Sequence, residues 1–179
     1  MDIKKELSNS QKILIVLPNK LDSQEYILSL IKTMENINKI CYVTLSKSRN
    51  FLLNLFKEND IDAGKFYFVD CISAYIKEPK PVKNTYFAPA PYELESIKKG
   101  ISQAIGEGYS FIIFDSLSVL SNYGPLVPAG VDAVARFIKS FLDTLEKAGG
   151  IIIFFCNEKN KRSLLIEESL VIFDKVLYI

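Results

Sequence analysis

The stretches KILIVL (Lys12–Leu17), ICYVTL (Ile40–Leu45), KFYFV (Lys65–Val69), FIIFD (Phe111–Asp115) and IIIFFC (Ile151–Cys156) are apolar at successive rather than alternate positions. A strand with one face in water alternates apolar and polar residues, so strands like these need cover on both faces. Amphipathic stretches separate them. Tyr26, Ile27, Leu30, Ile31 and Met34 recur at helical spacing behind a cap at Asp22 or Ser23, and Phe51, Leu52, Leu55 and Phe56 do so behind Ser48. Pro91 to Ile105 and Val131 to Lys147 are predicted as further helices, closed near Gly106 and at Gly149-Gly150. Ser163 to Ser169 reads as a short helix or turn, and Leu170 to Ile179 as one or two final strands. The alternation predicts an α/β fold of three layers, a doubly wound and mainly parallel sheet with helices on both faces. The expected organisation is a single domain over residues 1–179, with a polar segment at 1–10 and a long Pro-rich connection at 70–91.

The chain contains no histidine, which excludes Ser-His and Cys-His nucleophilic catalysis and histidine-ligated metals. Cys41, Cys71 and Cys156 have no metal-type spacing and are expected as buried, reduced thiols. A net charge of +1, with no basic stripe interleaved with aromatics, argues against a nucleic-acid partner. The longest apolar run is strand-sized and the N-terminus is polar, so neither membrane insertion nor a signal peptide is expected, and the expected location is cytoplasmic.

In a doubly wound fold, ligands sit at the carboxyl ends of the strands. The segments after Leu17, Leu45, Val69, Asp115 and Cys156 are therefore the ones to inspect. FIIFDSLSVL puts Asp115 at the end of an apolar strand, with Ser116 and Ser118 behind it. An acid there holds Mg²⁺ beside nucleotide phosphates, usually through water, or it caps the next turn. Both readings stand on the residue alone.

YVTLSKSRNFLLNLFKENDIDAGKFYFVD, APYELESIKKGISQAI with GYSFIIFDSLSVL, and the later helix with Gly-Gly and IIIFFCNEK resemble, in order and spacing, successive elements of RecA/KaiC-like P-loop ATPases. The resemblance runs from Lys12 to Ile179 and points to a degenerate archaeal KaiC-like branch lacking a proper Walker A motif. It implies a glycine-rich phosphate loop after the first strand, with a Lys and a Ser/Thr. LPNKLDSQEY stands there instead: Leu17 and Asp22 occupy the glycine places, Ser23 and Gln24 those of Lys and Ser/Thr, and Lys20 is displaced. Relatives that hydrolyse ATP carry a glutamate after the second strand to polarise water, and here the turn reads Ser46-Lys47-Ser48. Of the main catalytic apparatus only Asp115 is kept, so no catalytic residue is assigned and conventional ATP hydrolysis is not expected.

The candidate nucleotide or anion cleft comprises Asn19, Lys20, Asp22, Ser23, Gln24, Ser46, Lys47, Asp115, Ser116 and Asn157, with Asp115 a Mg²⁺ ligand only if a nucleotide binds. Lys20, Lys47, Lys159, Lys161 and Arg162 are the cations available at that edge. Tyr86, Phe87, Tyr92, Tyr123 and Leu126 are candidates for an interface with a protein partner or a second copy of the chain. The expected role is a regulatory or protein-interaction module, a pseudo-ATPase with no obligatory cofactor. The alternatives are a small-molecule sensor using the former nucleotide cleft, or an ATP-binding protein with a non-standard phosphate loop.

Overall fold

The apolar runs form strands, and one strand lies where none is expected. In chain order the strands are β1 (Lys12–Leu17), β2 (Ile40–Thr44), β3 (Phe66–Asp70), β4 (Thr85–Phe87), β5 (Phe111–Asp115), β6 (Ile151–Asn157) and β7 (Lys175–Tyr178). The helices are α1 (Ser23–Thr33), α2 (Arg49–Glu58), α3 (Ser73–Ile76), α4 (Leu94–Gly106), α5 (Leu117–Asn122) and α6 (Gly130–Lys147). The computed structural model describes residues 10–18, 23–34, 39–122, 130–157 and 170–179. The turn expected at 163–169 lies outside them.

All strand pairs are parallel, in the order β4-β3-β2-β5-β6-β1-β7. The side-chain alternation of each strand sorts the core onto two faces. Leu14, Val43, Val69, Phe114 and Phe154 face α4 and α6, which supply Ile97, Ile101, Ile138 and Phe141. Ile15, Tyr42, Phe68, Ile113 and Phe155 face α1 and α2, which supply Ile27, Ile31, Leu52 and Phe56. The result is the three-layer arrangement expected for strands apolar on both sides.

The connection at 70–91 is only partly a connection. Thr85–Phe87 pairs with β3 through Phe68↔Thr85, Val69↔Tyr86 and Asp70↔Phe87. Three residues give no readable period, and the prolines around them fit an edge strand, where one side needs no ladder partner. Tyr86 anchors this edge: its ring packs on Gly100 of α4, where an added Cβ would lie 2.5 Å from the Tyr86 Cδ1. Its hydroxyl is 3.0 Å from the Ser96 Oγ.

Candidate functional site

The carboxyl ends of β2, β3 and β5 lie level, because Thr44 is in register with Asp70 on one side and Asp115 on the other. These three polar residues are buried where their strands leave the core. Each buried polar group requires a partner, and the partners define the local structure.

Thr44 folds the turn after β2. Its Oγ1 donates to the Lys47 carbonyl at 2.7 Å and accepts the Lys47 N–H at 3.1 Å. The Leu45 N–H donates to the Asp115 carbonyl at 3.0 Å, which ties the turn to β5. Ser48 then caps α2, its Oγ accepting the Phe51 N–H at 3.3 Å. The turn thereby directs the Lys47 side chain over the end of β5.

Asp115 is 5% exposed. Its Oδ2 accepts the Tyr42 hydroxyl at 2.9 Å and lies 3.2 Å from the Lys47 Nζ. Burial, followed by the charge of Asp115 and the hydrogen bond to it, pushes the Tyr42 phenol well above its ordinary pKa. Tyr42 is therefore a protonated donor, and Lys47 supplies a positive charge beside the carboxylate. Gln24 of α1 lines the same small void as Tyr42 and Lys47. Across β6, the Asn157 N–H donates to the Ser118 Oγ at 2.7 Å, which holds the start of α5 against the strand end.

Asp70, wholly buried, accepts the N–H groups of Arg49 (2.7 Å), Ile72 (2.9 Å) and Ser73 (2.9 Å) and the Ser73 hydroxyl (2.6 Å). It clamps the starts of α2 and α3 to the sheet.

Among the expected cleft residues, Lys47 pairs with Asp115, and Gln24 lines the void beside Lys47. Ser46 is exposed beside them, Ser116 follows Asp115 through a cis peptide bond, and Asn157 lies at the end of β6. Asn19, Lys20, Asp22, the Ser23 side chain, Lys159, Lys161 and Arg162 lie outside the described residues, as do Tyr123 and Leu126. Tyr86, Phe87 and Tyr92 are half-buried, and Tyr92 meets Tyr75 edge-on with ring centres 6.1 Å apart. The exposed large apolar side chains of this stretch are Tyr75, Ile76 and Val82.

Tyr42, Thr44 and Asp70 escaped the sequence reading. A signal existed for two of them: Asp70 ends an apolar strand just as Asp115 does, and a tyrosine inside an all-buried strand requires a partner for its hydroxyl. Among the described residues, no group of three or more acidic, cysteine or histidine side chains is arranged to hold a metal ion. Nor is any helix there long and apolar enough to cross a membrane.

A KaiC-like protein from the hyperthermophilic archaeon Pyrococcus horikoshii superposes over 94% of this chain and 72% of its own, with a TM-score of 0.66 and 14% sequence identity. The fold is RecA/KaiC-like. The flagellar accessory protein FlaH from Methanocaldococcus jannaschii aligns over 99% of this chain and 76% of its own, with a TM-score of 0.50 and 12% identity. No protein-family model matches the chain, and no curated protein matches it. On the RecA/KaiC-like sheet, β6 lies between β1, which leads into the candidate phosphate loop, and β5, which ends at Asp115.

Proposed function

We propose that this chain is a catalytically degenerate RecA/KaiC-like domain, a pseudo-ATPase that serves as a regulatory or protein-interaction module. The Lys47–Asp115 pair carries the reading: the one acidic residue kept at the end of β5 already has a cation, supplied by the chain itself. An ammonium 3.2 Å from Oδ2 repels a divalent ion at the same oxygen, so the donors around Asp115 suit Mg²⁺ poorly. The turn that delivers Lys47 is also the one lacking the glutamate that ATP-hydrolysing relatives use to polarise water. LPNKLDSQEY lacks the glycines that wrap phosphates in backbone amides.

The scaffold is then kept for its surface, and its counterpart is a protein partner or a second copy of the chain. Calorimetry with Mg²⁺-ATP tests this reading. Expected is no Mg²⁺-dependent binding by the natural chain. Micromolar binding that requires Mg²⁺ and vanishes in Asp115→Ala would favour an ATP-binding protein with a non-standard loop.

A further inference from the structure

A second pocket opens on the other side of the Lys47 turn. It has a volume of about 400 Å³ and lies between the start of α2, the end of α3 and the chain leading into β4. This is within the size range of small-molecule sites. Its charged lining is Arg49, Lys77 and Lys80 against the single acid Glu78. Ile76, Pro79, Val82 and Phe87 supply an apolar wall.

Arg49 is the unusual member. Its side chain has no ion pair or hydrogen bond among the described residues, and its Nε is buried without a partner. The guanidinium carbon lies 5.7 Å from the centre of the Phe68 ring, which orients the group without neutralising it. Its backbone N–H is bound by Asp70, and Asp70 also holds Ser73. One buried carboxylate thus holds Arg49 and Ser73, which line the pocket from α2 and α3, in place before a ligand binds.

We propose that this pocket binds a small organic anion, its charged group on Arg49 with Lys77 and Lys80 and its apolar body against Ile76, Val82 and Phe87. A fixed guanidinium lacking a carboxylate suits a phosphate or carboxylate head, and the apolar wall distinguishes an organic anion from an inorganic one. This is independent of the reading of Asp115, since the two sites share only the turn between them.

The test is an amide-resolved NMR titration of the full chain with phenyl phosphate, inorganic phosphate and phenol. Expected is saturable binding of phenyl phosphate below about 10 mM, with shifts confined to residues 48–50 and 73–87. Inorganic phosphate and phenol bind more weakly. Arg49→Met weakens phenyl phosphate by about tenfold or more, as does the double variant Lys77→Ala/Lys80→Ala, whose exposed side chains leave folding intact if Arg49→Met does not. No shift at these amides, equal binding by the variants, or binding by phenol as tight as by phenyl phosphate overturns the proposal. Inorganic phosphate binding as tightly as phenyl phosphate overturns its organic part. Shifts centred on Lys47 and Asp115 would instead count against the pseudo-ATPase reading.

Discussion

The Lys47 ammonium and the Asp115 carboxylate, far apart in sequence, lie 3.2 Å apart in a setting where Asp115 is almost wholly buried and Lys47 partly so. Tyr42 completes the arrangement from the neighbouring strand by donating to the same oxygen. Removing Lys47 leaves the buried carboxylate with one neutral side-chain donor among the described residues, Tyr42. Lys47→Met should destabilise the chain by about 2 kcal/mol, read as a lower urea midpoint at unchanged slope. Adding Asp115→Asn should recover much of that loss, so a double-mutant cycle yields a coupling of about 1 kcal/mol or more. Additive losses would mean the pair is not formed in solution.

Asp70 accepts four hydrogen bonds from two helix starts. Asp70→Ala orphans those donors next to the sheet and should cost about 3 kcal/mol, while Asp70→Asn, which keeps one acceptor oxygen, should cost less. Hydrogen exchange of the Arg49, Ile72 and Ser73 amides reports the change locally, and protection there should fall before that of β5.

At the sheet edge, Gly100 leaves room for the Tyr86 ring, with the Val69 Cγ1 3.1 Å from an added Cβ. Gly100→Ala should destabilise by about 1–3 kcal/mol despite the higher helix propensity of alanine. Tyr86→Leu in the same chain should relieve part of it. Thermal melts of the two single variants and the double variant settle the sign, and a neutral or stabilising Gly100→Ala would show that the ring sits elsewhere.

Burial pushes the thiols of Cys41, Cys71 and Cys156 and the phenols of Tyr42 and Tyr67 upward, Tyr67 to about 12. These groups keep their protons in the folded chain at a pH where the unfolded chain releases them. The stability they contribute is whole below about pH 8 and declines as pH rises toward the folded-state values. Urea midpoints at pH 7.5 and pH 10.5 should differ, the alkaline one being lower, and Cys41→Ser/Cys71→Ser should flatten that slope.

The layer arrangement was legible because unbroken apolar runs such as IIIFFC require two covered faces, and the order of runs and helices carried the RecA/KaiC-like resemblance. Strand β4 was not, since Thr85–Phe87 owes its conformation to pairing with β3 rather than to any local period. Asp115 was legible from its place at a strand end. Its pairing with Lys47 was not, because that depends on a turn folded by Thr44 and on the register of β2 with β5. The same nonlocality hid Tyr42, whose hydroxyl finds its acceptor on a strand remote in sequence.

Phosphate release from ATP, with and without Mg²⁺, tests the central claim most directly when the natural chain, Lys47→Met and Asp115→Ala are measured side by side. The proposed pseudo-ATPase reading predicts no Mg²⁺-dependent turnover by the natural chain beyond that of Asp115→Ala, and none gained by Lys47→Met, whose turn after β2 still carries no glutamate. Mg²⁺-dependent turnover by the natural chain that disappears in Asp115→Ala would contradict it and make this domain an ATPase.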